Sequence, residues 1–298
     1  MNDGWFVGAD AGDPETGATR VREGGAESPA DWPETAVEAG FAADEDDYYD
    51  ALKAATTAAT SAAVTERERA DDQQLIHAVR ARDDCERTAN ELAERATEWA
   101  GSLFADAEPG IEGARAVAER EPESDAERRA VSLASRAASL ADERDELAAY
   151  VERTAPAVAP NLSGMAGPEL AARLIELAGG LESLAKKPSG TVQVLGAEDA
   201  LFAHLTGGAP SPKHGVIFTH EFVRGTRPED RGSAARAFAG KLTLAARVDH
   251  YAGEFKQELH DDLAERMATI RVRAEDGGAD GESGADAAAD GSGGEADE

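Results

Sequence analysis

Two stretches of the chain place apolar residues at alternating intervals of three and four. Positions 75, 78, 82, 85, 89, 92, 96, 99 and 103 carry Leu, Ala, Arg, Cys, Ala, Leu, Ala, Trp and Leu. Positions 126, 130, 133, 137, 140, 144, 147, 151 and 154 carry Ala, Ala, Leu, Ala, Leu, Arg, Leu, Val and Thr. Such spacing is a heptad seam, and each stretch breaks it once, at Arg82 and at Arg144. Pro109-Gly110 lies just beyond the first seam, and Ser124 to Glu127 forms a capping box ahead of the second. The pattern predicts an antiparallel coiled-coil hairpin over residues 66–155, with arms of roughly 45–60 Å at 1.5 Å per residue. Pro156 is expected to stop the second arm. An Ala-rich hairpin buries little area, so its large seam residues are the candidates for self-association: Leu75, Leu92, Trp99, Leu133, Leu140 and Leu147. Cys85 reads as a small seam residue rather than a nucleophile.

The flanking segments look different. Residues 1–65 are Gly-, Pro- and acid-rich. They offer one short strand at Trp5–Val7, a small cluster around Trp32 and Phe41, and an Ala-rich helix over 48–65. Residues 156–274 read as a compact helical domain. Helices are expected over 169–186, 196–205, 233–253 and 255–273. A Pro/Gly loop spans 207–215, and 216–223 is a brief apolar run, extended or helical. From 275 the chain contains only Gly, Ala, Asp, Glu and Ser, the composition of a disordered acidic tail. The expected fold class is mainly α: a small N-terminal module (1–65), a long hairpin (66–155), an all-helical domain (156–274) and the tail (275–298).

Charge changes the picture. The 298 residues hold 30 bases and 60 acids, a formal net charge of -30. Such a chain repels phosphate, but the acids are uneven: residues 156–274 carry 14 acids and 14 bases. Five of the six lysines fall between 186 and 256, and 186–247 holds nine bases against five acids. Many carboxylates with few lysines suit a cytosol of high ionic strength, where the Debye length falls to about 3 Å at 1 M salt.

Several chemistries find no residues. One cysteine excludes an internal disulfide or a Cys-based zinc cluster. No stretch approaches the ~20 apolar residues of a membrane span, and the N-terminus lacks the basic start and apolar run of a secretory signal. The histidines lack zinc-site spacing, and no P-loop, GxGxxG or GxSxG motif is present. No catalytic residue, metal or cofactor is expected.

The basic segment does offer donors. Lys186 and Lys187 precede Pro188. Gln193 precedes a helix start at Gly196, whose free N–H groups can receive a phosphate. Lys213 and His214 lie in the Pro/Gly loop, and Arg224, Arg227 and Arg231 cluster after it. Arg236, Lys241 and Arg247 share one helix, but Lys241 lies about 140° around it from the other two, so the three cannot face one ligand.

Here the residues resemble a known family, the Nop-domain proteins, scaffold subunits of box C/D guide ribonucleoproteins. The segment APNLSGMAGPELAARLIELAGGLESLAKKPSGTVQVLGAEDALF (159–202) is similar to the family's core block. SPKHGVIF (211–218) resembles its Thr-Pro-Lys-Tyr-Gly-Leu-Ile-Tyr turn, RGSAARAFAGKLTLAARVD (231–249) its closing helix, and 71–104 the start of its coiled coil. The resemblance implies three parts: an N-terminal dock for the methyltransferase fibrillarin, a dimerising coiled coil, and a Nop domain. The last would bind a kink-turn of the guide RNA together with a small kink-turn-binding protein of ribosomal type. It also implies a non-catalytic, cytoplasmic role in RNA-guided 2′-O-methylation, with fibrillarin taking the methyl group from S-adenosylmethionine. Lys213, Arg231, Arg236, Lys241 and Arg247 match the family's basic positions, and Gly196-Ala197-Glu198 matches its Gly-Ala-Glu. The sequence departs from the family at Asp199 and Ala203, where bases are usual, and in a shorter, acidic N-terminal module. Arg247 has Asp249 and Glu221 as possible internal partners. The competing reading is a coiled-coil interaction protein that binds no RNA.

Overall fold

The computed structural model describes residues 4–24 and 30–279, with side chains as far as residue 270. Among the described residues there are fourteen α-helices, one 3-10 turn and no strand. The chain divides into two compact units, 1–74 and 75–298.

The first unit holds α1 (Pro14–Glu23), α2 (Trp32–Glu38) and α3 (Glu45–Glu68). Each starts on an aspartate, Asp13, Asp31 and Asp44, whose carboxylate accepts first-turn N–H groups. Phe6 and Tyr48 are buried together. Trp5 and Phe41 pack edge to face at 5.3 Å, and the Trp5 indole donates to the Tyr48 hydroxyl at 3.2 Å. The expected strand at Trp5–Val7 is a turn instead. Val7 N–H bonds to the Gly4 carbonyl and Ala9 N–H to that of Phe6, because no second strand is available among the described residues to pair with it.

The two long arms are α4 (Asp71–Gly101), which enters the second unit from residue 75, and α6 (Asp125–Val158), with α5 (Gly110–Ala118) between them in sequence. The link expected to be a simple break therefore contains a helix. Its Ala114 and Val117 are fully buried with Ala93, Ala96, Ala100, Ala134 and Ala137, and Arg115 pairs with Asp142 of α6 at 2.6 Å. The seam itself is alanine. Ala89, Ala93, Ala96 and Ala100 face inward on α4; Ala130, Ala134, Ala137 and Ala141 do so on α6. Every second heptad position is thus displaced by one residue. Leu92, Leu133 and Leu140 lie half-buried on the flank, and Trp99 is 39% exposed. Ala93, Ala96 and Ala100 share one buried cluster with Ala134 and Ala137, and Leu92 and Leu133 pack against its edge. Ala96→Leu should therefore overpack the seam and cost about 1–3 kcal/mol, seen as a lower midpoint in denaturant unfolding. A leucine-filled seam would tolerate that change.

The two charged heptad positions have different fates. Arg144 pairs with its neighbour Asp145 at 2.7 Å. Arg82, its side chain only 11% exposed, bonds Asp83 and, at 3.1 Å, Glu169 on α8 (Pro168–Ala178). Arg173 of α8 pairs with Asp83, and Arg80 with Glu176 at 2.9 Å. The break in the seam is an ionic seat for the base of the hairpin. Pro156 does not stop α6, which runs on to Val158. So near the end of the helix the missing N–H removes a single bond, and Ala159 N–H still reaches the Ala155 carbonyl.

The remaining helices are α7 (Pro160–Ala166), α9 (Leu181–Lys186), α10 (Ser189–Val194), α11 (Glu198–Leu205), α12 (Glu221–Arg224), α13 (Arg231–Tyr251) and α14 (Gln257–Ala279). The helix expected over 169–186 is two, divided where Gly179 adopts a left-handed φ of 84°. The apolar run at 216–223 is the 3-10 turn Val216–Thr219 followed by α12. α13 is central: Phe238, Leu242 and Ala245 are buried with Leu162, Leu174, Leu184, Val192 and Ile217. Leu75, Ile76 and Val79 of α4 enter the same core. Leu75 is therefore fully buried inside the chain and offers no surface to a second copy. α14 runs to Ala279, and the tail expected from 275 lies from residue 280 on outside the described residues.

One buried carboxylate ties this domain together. Asp249, 6% exposed, accepts the N–H of Asn161 at 2.9 Å, the N–H of Leu162 at 2.8 Å and the Asn161 side-chain amide at 2.7 Å. Asn161 in turn bonds the Glu254 carbonyl and the Lys256 N–H. Asp249 thus caps α7 from the end of α13 and pins the loop that leads to α14.

Candidate nucleic-acid interface

The loop between α11 and the 3-10 turn folds back on α10. Gly215 N–H bonds the Gln193 carbonyl, Val216 N–H bonds that of Leu195, and the Gln193 amide donates to the Lys213 carbonyl at 2.7 Å. This stitching fixes Lys213 and His214. His214 stacks on Phe218 with ring centres 4.4 Å apart and planes 17° from parallel. The Arg231 guanidinium lies 5.3 Å from the centre of the same ring. Arg231 also donates to the carbonyls of Thr226, at 3.1 Å, and Arg224, at 3.3 Å. A side chain on Gly232 would come within 3.8 Å of the Lys213 stem, so Lys213 lies along the first turn of α13. Burial first, and then the nearby Arg231 charge, hold the His214 imidazole below its ordinary pKa. His214 is therefore a neutral stacking surface beside two cations, with Arg224 and Arg227 exposed nearby in sequence.

The other expected residues lie elsewhere. Gly196 has φ 81°, and a Cβ there would meet Leu177 and Val216 at 3.2 Å. Its N–H is taken by the Glu198 carboxylate at 2.9 Å, and α11 starts at Glu198 rather than at Gly196. The amide expected to receive phosphate is thus occupied by the chain's own acid. Lys186 pairs with Glu182 at 2.5 Å, which raises its pKa; Lys187 makes no ion pair among the described residues. Arg236 and Lys241 line a groove of about 750 Å³ between α13 and α14, where Lys241 pairs with Asp262 at 2.9 Å. Arg247 bonds neither Asp249 nor Glu221; it donates to the Ala185 carbonyl at 3.0 Å. The structure thus gathers Gln193, Lys213, His214 and Arg231 and leaves Arg236, Lys241 and Arg247 apart.

Sequence reasoning missed two features. Phe218 is the platform of the cluster, but in sequence it was one apolar residue in a run. Phe202 and Leu205 are 69% and 75% exposed, and α11 has no buried residue. Two large apolar side chains three apart on so short a helix were the available signal. No group of three or more potential metal ligands occurs among the described residues.

His220 packs on Phe222 and Phe238 with ring centres 4.7 and 4.6 Å away, and burial lowers its pKa. The unfolded chain then binds the proton more readily than the folded one. Stability from this group is complete above the ordinary histidine pKa of about 6.5 and is lost as pH falls below it. His220→Phe should flatten the pH dependence of the melting temperature between pH 7 and 5; an unchanged profile would contradict this role.

The sequence profile of the Nop family, described as "snoRNA binding domain, fibrillarin", matches residues 43–269. The chain belongs to the Nop family. A chain from the crystal structure of a fibrillarin/Nop5p complex has a TM-score of 0.51 and 26% identity, covering 87% of this chain and 91% of that one. A NOP5 family protein of Methanocaldococcus jannaschii is 48% identical over 141 residues, covering 47% of this chain and 34% of that protein. Human Nucleolar protein 56 is 38% identical over 141 residues, covering 46% of this chain and 24% of that protein. The matches span about a third or less of these curated relatives. The stacked cluster and α11 both lie inside the Nop match. No helix among the described residues is long and apolar enough to cross a membrane.

Proposed function

We propose that this Nop-family chain is the non-catalytic scaffold of a box C/D guide ribonucleoprotein. It binds the kink-turn of the guide RNA and recruits a fibrillarin-type methyltransferase for 2′-O-methylation. The observation that carries this reading is the cluster of Lys213, His214, Phe218 and Arg231. A chain of net charge -30 brings two cations and a stacked ring pair together from one loop, the 3-10 turn and the start of α13. Cations suit phosphates, and rings and guanidinium planes suit the splayed bases of a bent RNA. The exposed Phe202 and Leu205 on α11 fit a protein lying beside that RNA, the place of the kink-turn-binding protein. The likeness to a chain of a fibrillarin/Nop5p complex supports the methyltransferase as partner. Half-exposed Leu92, Trp99 and Leu140 along the hairpin are the surface for self-association, and the cytoplasm is the compartment. A pure coiled-coil role leaves the stacked basic cluster without a use.

The test is reconstitution with the methyltransferase, a kink-turn-binding protein, guide RNA, target RNA and S-adenosylmethionine. Target methylation should require this chain and fall when it carries Lys213→Glu. Equal methylation with the chain omitted would overturn the proposal.

A further inference from the structure

A cleft of about 360 Å³ opens between α7, α12 and α14. Met165, Phe222 and Leu263 give it apolar walls, and His220 and His260 are its imidazoles. None of these residues belongs to the Lys213 cluster. Among the described residues, Glu221 lines the cleft but no Lys or Arg does. Both rings are held in place by packing. His220 packs on Phe222 and Phe238, and its Nδ1 accepts the Phe222 N–H at 3.2 Å. The neutral ring therefore carries its proton on Nε2. That N–H finds no acceptor among the described residues. His260 packs on Phe255 with ring centres 4.7 Å apart. It also lies against α7 at Gly164, where a Cβ would come within 2.5 Å of the imidazole, so only glycine admits the ring there. The His260 Nε2 is buried and has no partner. Buried polar atoms are nearly always hydrogen-bonded, because they have given up water and need a replacement.

We propose that this cleft binds a nucleobase. Its volume lies in the range of small-ligand sites, which pair mostly apolar walls with a few polar atoms. The lining holds a carboxylate and no cation, so a phosphate or carboxylate ligand is disfavoured. What fits is an uncharged flat ring whose edge carries hydrogen-bonding atoms. A base offers its faces to Phe222 and Met165 and its edge to the two ring nitrogens. Burial holds the His220 pKa below its ordinary value, so this imidazole stays a neutral donor. An acceptor on the base edge meets that N–H, and a second edge atom meets the His260 Nε2. Phe has no polar atom and Trp only a donor, so these side chains of a partner protein match the cleft less well. A free nucleoside and an unpaired base of an RNA share the required chemistry. The cleft reading stands without the proposed RNA role; only an RNA source for the base rests on it.

The experiment follows the imidazole NMR signals of His220 and His260 in the full chain. The probes are adenosine, guanosine, cytidine and uridine, a short single-stranded RNA, ribose 5-phosphate and N-acetyltyrosinamide. At least one nucleoside or the RNA should shift both signals saturably, and ribose 5-phosphate should shift neither. His260→Phe keeps a ring on Phe255 but removes the polar atom. It should weaken binding, read from the His220 signal, about five- to tenfold, with a melting curve that shows the fold intact. Shifts with the RNA and with no free nucleoside assign the base to an RNA. Shifts with a nucleoside and none with the RNA make the cleft a nucleoside site and count against the proposed function, not against the cleft. The proposal is overturned if no nucleoside and no RNA moves either signal, or if ribose 5-phosphate moves them equally. It is also overturned if N-acetyltyrosinamide alone moves them, which points to a partner's side chain, or if the His260→Phe protein binds as well as wild type.

Discussion

Lys213→Glu should weaken kink-turn RNA binding about ten- to a hundredfold while leaving the melting temperature within a degree or two. The side chain is exposed and makes no ion pair among the described residues; only its carbonyl is used, by Gln193. Reversing its charge removes one phosphate contact and adds a repulsion, yet breaks nothing in the fold. Arg231→Glu should lose as much affinity and also destabilise the domain. Its guanidinium holds two carbonyls of the 224–226 turn and lies over Phe218. Arg231→Lys keeps the charge but cannot reproduce the planar fork, and should fall between the two. Gel shifts and thermal melts on the same preparations separate these effects. A Lys213→Glu protein that binds as well as wild type would place the RNA elsewhere.

Asp249→Ala should destabilise the second unit by about 3–5 kcal/mol. The carboxylate is buried and satisfies the N–H groups of Asn161 and Leu162 together with the Asn161 amide. Its removal leaves two backbone donors at the start of α7 without a partner, in a place water does not reach. Asp249→Asn offers only one acceptor oxygen and should lose roughly half as much. Denaturant unfolding at fixed salt measures both. A loss under about 1 kcal/mol for the alanine variant would mean that the α7 cap is not a keystone of the domain.

Much of this fold was legible in the pattern of apolar residues. The two arms of the hairpin follow from their heptads, and the start of α6 from Ser124 to Glu127, where Ser124 accepts the Glu127 N–H at 3.2 Å. The depth of the seam was not legible. Leucine and alanine alternate at neighbouring positions, and tertiary packing decides which faces inward; α5, invisible behind its Pro-Gly start, contributes Ala114 and Val117 to that packing. Arg82 looked like a flaw because its partner, Glu169, lies 87 residues away. Asp249 was read as a partner for Arg247 because the two are close in sequence, whereas the fold brings Asn161 to it from 88 residues away.

At the candidate site, charge located the region but not the face. Lys213, His214 and Arg231 were nameable because bases are scarce in this chain. That they meet around Phe218 depends on a backbone return between 193–195 and 215–216 that no periodicity signals. Gly196 misled for a related reason: a glycine before a helix suggests an open anion site, but Glu198, two residues on, closes it from within.

On the proposed function, a few cations and a stacked platform, rather than a dense phosphate-binding surface, hold a bent RNA. The most direct test is a titration of full-length chain and kink-turn RNA, with the kink-turn-binding protein present, from about 0.1 M to molar KCl. The expected slope of log affinity against log salt is about -2 to -3, with binding retained at molar KCl and lost to a straight duplex of equal length. A slope near -6 or steeper, or equal affinity for the duplex, would contradict it.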